Sequence, residues 1–166
     1  MLVKRLAIPL VIGLGLVAIV VVIILAGTKS SHLQLDMRVI KARTGALDEN
    51  SSAAVLDFRV NNPSDVRLVV GQVQVNLIRP GGSTTEGQII SRQDINILLQ
   101  YNRFLGSQYN QVLTLRDQVK PHEMFDRMVA VRFDVPQKDV DASRALQLRI
   151  QDVDGAWFEA NYNLKR

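Results

Sequence analysis

Cysteine is absent from this chain of 166 residues. Its absence excludes a disulfide framework, a thiolate metal site, a thiol nucleophile and a lipid-modified cysteine. Histidine is scarce: His32 and His122 stand apart, and neither belongs to a cluster of His, Asp or Glu at metal-ligand spacing. No Gly-rich phosphate loop and no Gly-x-Ser-x-Gly element occur. The sequence therefore predicts no metal, no cofactor and no enzymatic activity.

A strong charge of one sign is also missing. The formal net charge is only +4, and the basic and acidic residues are spread along the chain. This balance argues against nucleic acid as a partner.

One long hydrophobic run is present, over residues 6–27, and it contains no charged residue. At about 1.5 Å per residue it forms roughly 33 Å of helix, enough to cross a bilayer core of about 30 Å. Lys4 and Arg5 precede it and favour a cytoplasmic N-terminus. The alternative is a cleaved signal peptide, but the run exceeds the usual hydrophobic region and Leu25 occupies a position where cleavage needs a small residue.

The predicted organisation is thus a cytoplasmic segment at 1–5, a membrane anchor at 6–27, a linker at 28–32 and one domain at 33–166. The bilayer is the expected partner of residues 6–27. The expected location is the bacterial inner membrane, with the domain in the periplasm.

Alternating apolar residues predict strands along the domain. They occur at 33–39, 54–60, 66–77, 111–117, 129–135, 146–150 and 158–164, with a loop expected at 43–52. About seven or eight short strands separated by turns favour an all-β, antiparallel, immunoglobulin-like sandwich. Residues 89–97 are predicted to have strand character, although a short helix over 92–105 is the alternative.

Three local features carry specific predictions. Asn62 and Pro63 end a strand, and their residue types favour a turn over a binding site. The apolar residues occupy even-numbered positions before Gly71 and odd-numbered positions after it, which predicts a β-bulge there. Trp157 does not fall on the apolar face of the last strand, so it is the candidate for an interaction surface. Asp154 and Gly155 predict the hairpin turn before that strand.

The stretch from Phe58 to Ile78 resembles the LEA group 2 family, also called the water-stress and hypersensitive-response (WHy) domain. Asn62 and Pro63, after Arg59 and Val60, match the family's strand-ending element. The next strand matches at Leu68, Val70, Val73, Val75 and Leu77. The resemblance implies a β-sandwich with a stress-protective or membrane-tethered role and implies no catalytic residues.

Two non-enzymatic functions follow as hypotheses. The first is a membrane-anchored stress-protective or interaction module. The second is a structural subunit or assembly factor of a cell-envelope complex that docks a protein partner through an edge strand or the Trp157 face. An enzyme is the third and least supported hypothesis, because no constellation of reactive side chains is visible.

Overall fold

The computed structural model describes residue 13, residues 15–22 and residues 34–164. The chain divides into two compact units, Met1–His32 and Leu33–Arg166. In the first unit, residues 13 and 15–22 are helical. Among the described residues, no helix has the length and apolar character needed to cross a membrane. Most of the predicted anchor at 6–27 lies outside the described residues.

The second unit contains ten strands and two short helices within residues 34–164. The strands are β1 (Asp36–Ala46), β2 (Ser52–Asn61), β3 (Leu68–Ile78), β4 (Thr84–Glu86), β5 (Gln88–Ile89), β6 (Gln111–Val112), β7 (Gln118–Val119), β8 (Met124–Phe133), β9 (Ala145–Asp152) and β10 (Trp157–Asn163). The helices are α1 (Arg92–Tyr101) and α2 (Gln137–Ala142), and a 3-10 turn covers Arg103–Leu105.

These strands form two sheets of five. The first sheet has the order β1-β2-β8-β5, with β6 parallel to β8. The second has the order β10-β9-β3-β4, with β7 beside β3. The β-sandwich prediction is therefore confirmed. Four of the strands are only two or three residues long, and one of these, β6, covers the first two residues of the strand predicted at 111–117.

The main core lies between the two sheets, where the predicted apolar faces meet. Its fully buried members come from β2, β3, β8 and β9, and include Leu56, Phe58, Leu77, Phe133 and Leu148. This core accounts for the period-2 pattern, since alternate residues of each strand point inward.

A second, smaller core covers the outer face of the first sheet. Ala53 and Val55 of β2 and Met128 of β8 pack there with Ile95 of α1 and Leu105 of the 3-10 turn. The middle of β2 is consequently buried on both faces. The strand predicted at 89–97 is wrong over most of that range, and the helical alternative describes α1 correctly.

Helix α1 begins where its sequence supplies a cap. The Ser91 hydroxyl accepts a hydrogen bond from the Asp94 backbone N–H at 3.3 Å and donates to Asp94 Oδ2 at 2.6 Å. Such a capping pair satisfies an otherwise unpaired N–H of the first turn. Ile95, Leu98 and Leu99 then face the sheet at helical spacing. The Ser-x-x-Asp pattern was the signal that the strand prediction overlooked.

The loop predicted at 43–52 is also wrong in part, because β1 continues to Ala46 and only residues 47–51 form the turn. Within this stretch, the side chain of Arg43 is buried on the outer face of the sheet. Gly45 lies so close to Asn102 that an added Cβ would be 3.0 Å from its side-chain atoms.

Candidate functional site

Four apolar side chains form an exposed surface where the β1–β2 hairpin turns, here called the hairpin-end patch. Leu47 comes from the turn, Ile97 and Tyr101 from α1, and Phe104 from the 3-10 turn. Tyr101 and Phe104 are 86% and 87% exposed, although aromatic side chains of this size are usually largely buried. Ile97 and Tyr101 are four residues apart, so they share a helix face other than the one packed on the sheet.

Shallow depressions surround the two aromatic side chains. One of about 340 Å³ lies between Tyr101 and Phe104, and one of about 270 Å³ lies between Leu47 and Tyr101. A third, of about 290 Å³, is bordered by Phe104 and Gln137. All three share Ala46 as a lining residue, so they form one continuous uneven surface.

A buried arginine holds the segment that carries Phe104. Arg43 Nη2 donates to Asp57 Oδ2 at 2.7 Å, and the two side chains are only 7% and 4% exposed. Arg43 Nη1 donates to the backbone carbonyl of Leu105 and, at 2.8 Å, to that of Ser107. One guanidinium on β1 therefore connects β2 to the segment after α1.

The remaining oxygen of Asp57 is also engaged, since Asn110 Nδ2 donates to Oδ1 at 2.9 Å. The ring of Tyr109 lies over Arg43 at 4.8 Å and beside Lys41 Nζ at 5.2 Å. These groups line part of a shallow cavity of about 280 Å³ that includes Ile40. Because both Asp57 oxygens already accept hydrogen bonds, the arrangement supports a structural ion pair rather than a catalytic base.

Asn102 provides a second attachment of the same segment. Its Nδ2 donates to the carbonyl of Ala46 at 2.7 Å, and its Oδ1 accepts from the Phe104 backbone N–H at 3.2 Å. The turn itself is held by Asp48, whose oxygens accept from the Asn50 N–H at 2.8 Å and the Ser51 hydroxyl at 2.6 Å. The bond from Ser51, followed by that from Asn50, lowers the pKa of the Asp48 carboxyl. These hydrogen bonds therefore hold the backbone that carries the hairpin-end patch.

Asn62, the residue predicted to shape a strand exit, is fully buried and serves that purpose. Its Nδ2 donates to the carbonyls of Val66 at 2.8 Å and of Val119 and Lys120 at 3.2 Å. Its Oδ1 accepts from the Ser64 N–H at 3.1 Å and hydroxyl at 2.6 Å. The side chain thus fastens the turn to a distant loop and has little capacity left for a ligand.

Pro63 is exposed and follows the end of β2, consistent with its predicted place in a turn. Gly71 lies at a register shift between β3 and β9, so the predicted bulge is confirmed. A Cβ at Gly71 would lie 3.2 Å from the Val153 backbone. The turn predicted at Asp154 and Gly155 connects β9 to β10, and Gly155 has φ 96°.

Trp157 points away from the main core, as its phase predicts, and is 36% exposed. The Arg149 guanidinium lies 4.5 Å from its ring centroid. Asn62, Gly71 and Trp157 all lie toward the end of the domain where β1 begins, while the hairpin-end patch is at the opposite end. The sequence-predicted residues therefore do not form a site with the patch.

Several ionisable groups among the described residues form ion pairs. Arg59 donates to both oxygens of Asp126, at 2.7 and 2.8 Å, on the outer face of the first sheet. These hydrogen bonds, aided by the charges of Arg59 and Arg38, hold the pKa of the Asp126 carboxyl below its ordinary value. His122 contacts Asp65 at 2.9 Å in an exposed pair. Within the described part of the chain, no three His, Asp or Glu side chains are close enough to hold a metal ion.

Comparison with known proteins identifies no family for this chain. No family model matches the chain, and no curated protein matches it. Similar solved structures include a Bordetella pertussis protein assigned the name ApaA, at 11% identity and TM-score 0.40, covering 78% of this chain and 91% of that one. An uncharacterised β-sandwich protein from Clostridium difficile has 11% identity and TM-score 0.34, with 80% and 82% covered.

The archaellum periplasmic stator protein FlaG from Sulfolobus acidocaldarius is a third similar structure. It has 12% identity and TM-score 0.37, and the match covers 78% of this chain and 98% of that one. Identities and TM-scores this low carry no argument about what the present chain binds.

Proposed function

We propose that this chain is a membrane-anchored, non-enzymatic interaction module that docks a folded protein partner through the hairpin-end patch. It would act as a subunit or assembly factor of a cell-envelope complex. The observation that carries the proposal is the pair of almost fully exposed aromatic side chains, Tyr101 and Phe104, on a segment fastened by a buried ion pair.

The fixed backbone supports docking, because a segment that is already held in one conformation loses little conformational entropy on binding. Immobilising a flexible loop at an interface reduces affinity, whereas a preorganised loop avoids that cost. The contacts of Arg43 and Asn102 already fix the segment from Asn102 to Ser107. Aromatic side chains are typical anchors of protein interfaces, and here the backbone that carries Phe104 is held in place.

The composition of the patch favours a protein over a small ligand. Its depressions are shallow and contiguous, and Arg103 lies in sequence between Tyr101 and Phe104. Tyrosine, phenylalanine and arginine are enriched where proteins meet. The expected partner therefore presents protruding apolar side chains that enter the depressions beside Ala46.

The predicted anchor is consistent with this use of the patch. The charge-free run at 6–27, preceded by Lys4 and Arg5, supports a single membrane span with the domain in the periplasm. The domain begins near Asp36, and the patch lies beyond Ala46 at the other end of β1, roughly 35 Å away at about 3.3 Å per residue. The patch is thus at the opposite end of β1 from Asp36.

The LEA group 2 resemblance supports a β-sandwich without catalytic residues. The stress-protective role that it implies stays a prediction, which the survival of a deletion strain under drying or osmotic shock would test. A reporter enzyme fused after Arg166 tests the orientation, and activity confined to the cytoplasm would contradict it.

The docking proposal is tested by capturing partners on the tagged full-length chain, solubilised from its own membranes. Phe104→Ser and Tyr101→Ser should each reduce the affinity for the captured protein about thirtyfold, the loss of a typical hot-spot side chain. Leu115→Ser is the matched control, because Leu115 is also apolar and 64% exposed but lies at the opposite end. Equal capture by all variants would contradict the proposal, and capture of the chain itself would identify a self-association surface instead.

A further inference from the structure

The outer face of the second sheet has an unusual composition, which nothing in the docking proposal uses. Three consecutive rows of outward-pointing side chains on β3, β9 and β10 contain nine residues, and six of these are amides. We call this surface the amide face; its members are Gln72, Gln74, Asn76, Gln147, Arg149, Gln151, Trp157, Glu159 and Asn161.

The strand register arranges these side chains in three rows of three. Trp157 is opposite Gln151, and Gln151 is opposite Gln72 on the next strand. The same pairing places Glu159, Arg149 and Gln74 in the second row, and Asn161, Gln147 and Asn76 in the third. Adjacent strands are about 4.8 Å apart, so the face is a regular array of polar groups.

The amides are only weakly satisfied by one another. Arg149 Nη1 donates to Gln74 Oε1 at 3.4 Å, Asn76 Nδ2 to Gln147 Oε1 at 3.3 Å, and Gln147 Nε2 to Glu159 at 3.4 Å. These distances are at the long limit of a hydrogen bond. Gln151 Nε2 donates to the backbone carbonyl of Gly155 at 3.2 Å. Arg149 Nε is buried, so it is not presented to a ligand. Because the bonds between the amide side chains are long, the amides can exchange them for bonds to a ligand.

The charge on the face indicates an uncharged ligand. Arg149 and Glu159 are its only ionised groups, and they lie 3.9 Å apart, so their charges cancel. An anionic or cationic polymer would find no net attraction here. Each amide has both donors and acceptors, which match hydroxyl groups that donate and accept in turn. Trp157 adds an apolar ring surface at one corner, partly covered by Arg149.

We propose that the amide face binds an uncharged polysaccharide, with Trp157 stacking against a sugar ring and the amides bonding its hydroxyls. The chain would then hold a protein partner at one end and a glycan along the second sheet. The outer face of the first sheet does not offer an equivalent surface, because α1 and the segment after it cover that face.

Affinity electrophoresis of the full-length chain tests this inference. The chain is reconstituted in lipid nanodiscs, because sugar-based detergents would compete for the face, and is run through native gels containing dextran, hydroxyethyl cellulose or galactomannan. At least one of these neutral polymers should retard the wild type, whereas the anionic polymer alginate should not. Trp157→Ala should weaken the retardation about tenfold, as expected for loss of one aromatic contact.

Two further variants keep the result interpretable. The double variant Q74A/Q147A should also weaken the retardation while leaving Trp157 in place, and Gln118→Ala, an exposed amide on β7 outside the face, should behave as wild type. Circular dichroism verifies that each variant is folded. Migration unaffected by every neutral polymer, or equal retardation of wild type and both face variants, would overturn the proposal. Loss of a captured protein on Trp157→Ala, without any glycan binding, would assign the face to a protein interface instead.

Discussion

Replacing Arg43 by methionine tests whether the buried ion pair holds the segment that presents Phe104. Methionine keeps much of the length and apolar stem of the side chain but removes all its donors. Asp57 would then retain only the hydrogen bond from Asn110, at 2.9 Å. The carbonyls that accept from Arg43 would also lose a partner.

The expected cost follows from the burial of the pair. Side-chain exposures of 7% and 4% place both charges away from water, and removing one member of a buried pair typically costs about 3–5 kcal/mol. We expect the lower end, about 3 kcal/mol, because the surface segment can open and admit water to Asp57. For a domain of this size, that loss corresponds to roughly 10 °C in Tm.

Two assays measure this effect on the full-length chain. Urea unfolding, followed by circular dichroism and by the fluorescence of the single tryptophan, gives the free energy of unfolding. Limited trypsin digestion reports the local opening, since Arg103 lies in the fastened segment. Cleavage after Arg103 should become at least about tenfold faster in Arg43→Met, because local opening is the main route to cleavage.

Arg132→Met is the matched control, because Arg132 pairs with Asp134 at 3.2 Å on the surface, where the two side chains are 47% and 66% exposed. A surface pair of this kind contributes at most about 1 kcal/mol. The double variant R43M/D57L should recover part of the loss, since it removes the unpaired buried charge. A loss below about 1 kcal/mol in Arg43→Met, with unchanged cleavage, would refute a fastening role for Arg43.

Three further predictions concern stability and can be checked by urea unfolding of the same preparation. Asn62→Ala should lose about 2–3 kcal/mol, because it leaves several buried backbone groups without their partner. Gly71→Ala should lose about 1–2 kcal/mol of stability, because the added Cβ would lie 3.2 Å from the Val153 backbone. A Cβ at Gly81 would have no atom within 4 Å, so Gly81→Ala should not change the stability. Asp126→Asn should lose a few tenths of a kcal/mol at pH 7, because Asp126 and Arg59 are partly exposed and screened, and this difference should shrink below pH 4.

The pH direction follows from the lowered pKa of the Asp126 carboxyl. A carboxyl group with a lowered pKa in the folded state contributes stability above its ordinary pKa, and this contribution is lost as the pH falls through the folded value. An equal loss at pH 7 and pH 3 in Asp126→Asn would contradict this assignment. The prediction for Asn62 would be contradicted if Asn62→Ala had the same free energy of unfolding as the wild type. The prediction for Gly71 would be contradicted if Gly71→Ala and Gly81→Ala had the same free energy of unfolding.

The β-sandwich was predictable because the alternation of apolar and polar residues along a strand shows directly which side chains are buried. Residues such as Phe58 and Leu148 alternate with polar neighbours, and the structure buries them between the sheets. The bulge at Gly71 was predictable for the same reason, since a change of phase requires an extra residue. The burial of Asn62 extends its predicted role in the turn, because its hydrogen bonds reach a loop nearly 60 residues away in sequence.

The hairpin-end patch was not predictable from the same pattern. Its members come from three separate elements, and their proximity depends on how the segment after α1 folds over the first sheet. Arg43 and Asp57 looked like solvent-facing charges because the sequence does not show that α1 covers the outer face of their strands. Aromatic residues next to the apolar stripe of α1, at positions 101 and 104, were the available signal.

Site-specific photo-cross-linking in intact cells tests the docking claim most directly. A photoreactive phenylalanine analogue is placed at position 104 in one full-length variant and at position 115 in another. Both native side chains are exposed, at 87% and 64%, but they lie at opposite ends of the domain. The proposal predicts one discrete adduct with a single protein from position 104 and none with that protein from position 115. No adduct from position 104, or the same adducts from both positions, would contradict docking through the hairpin-end patch.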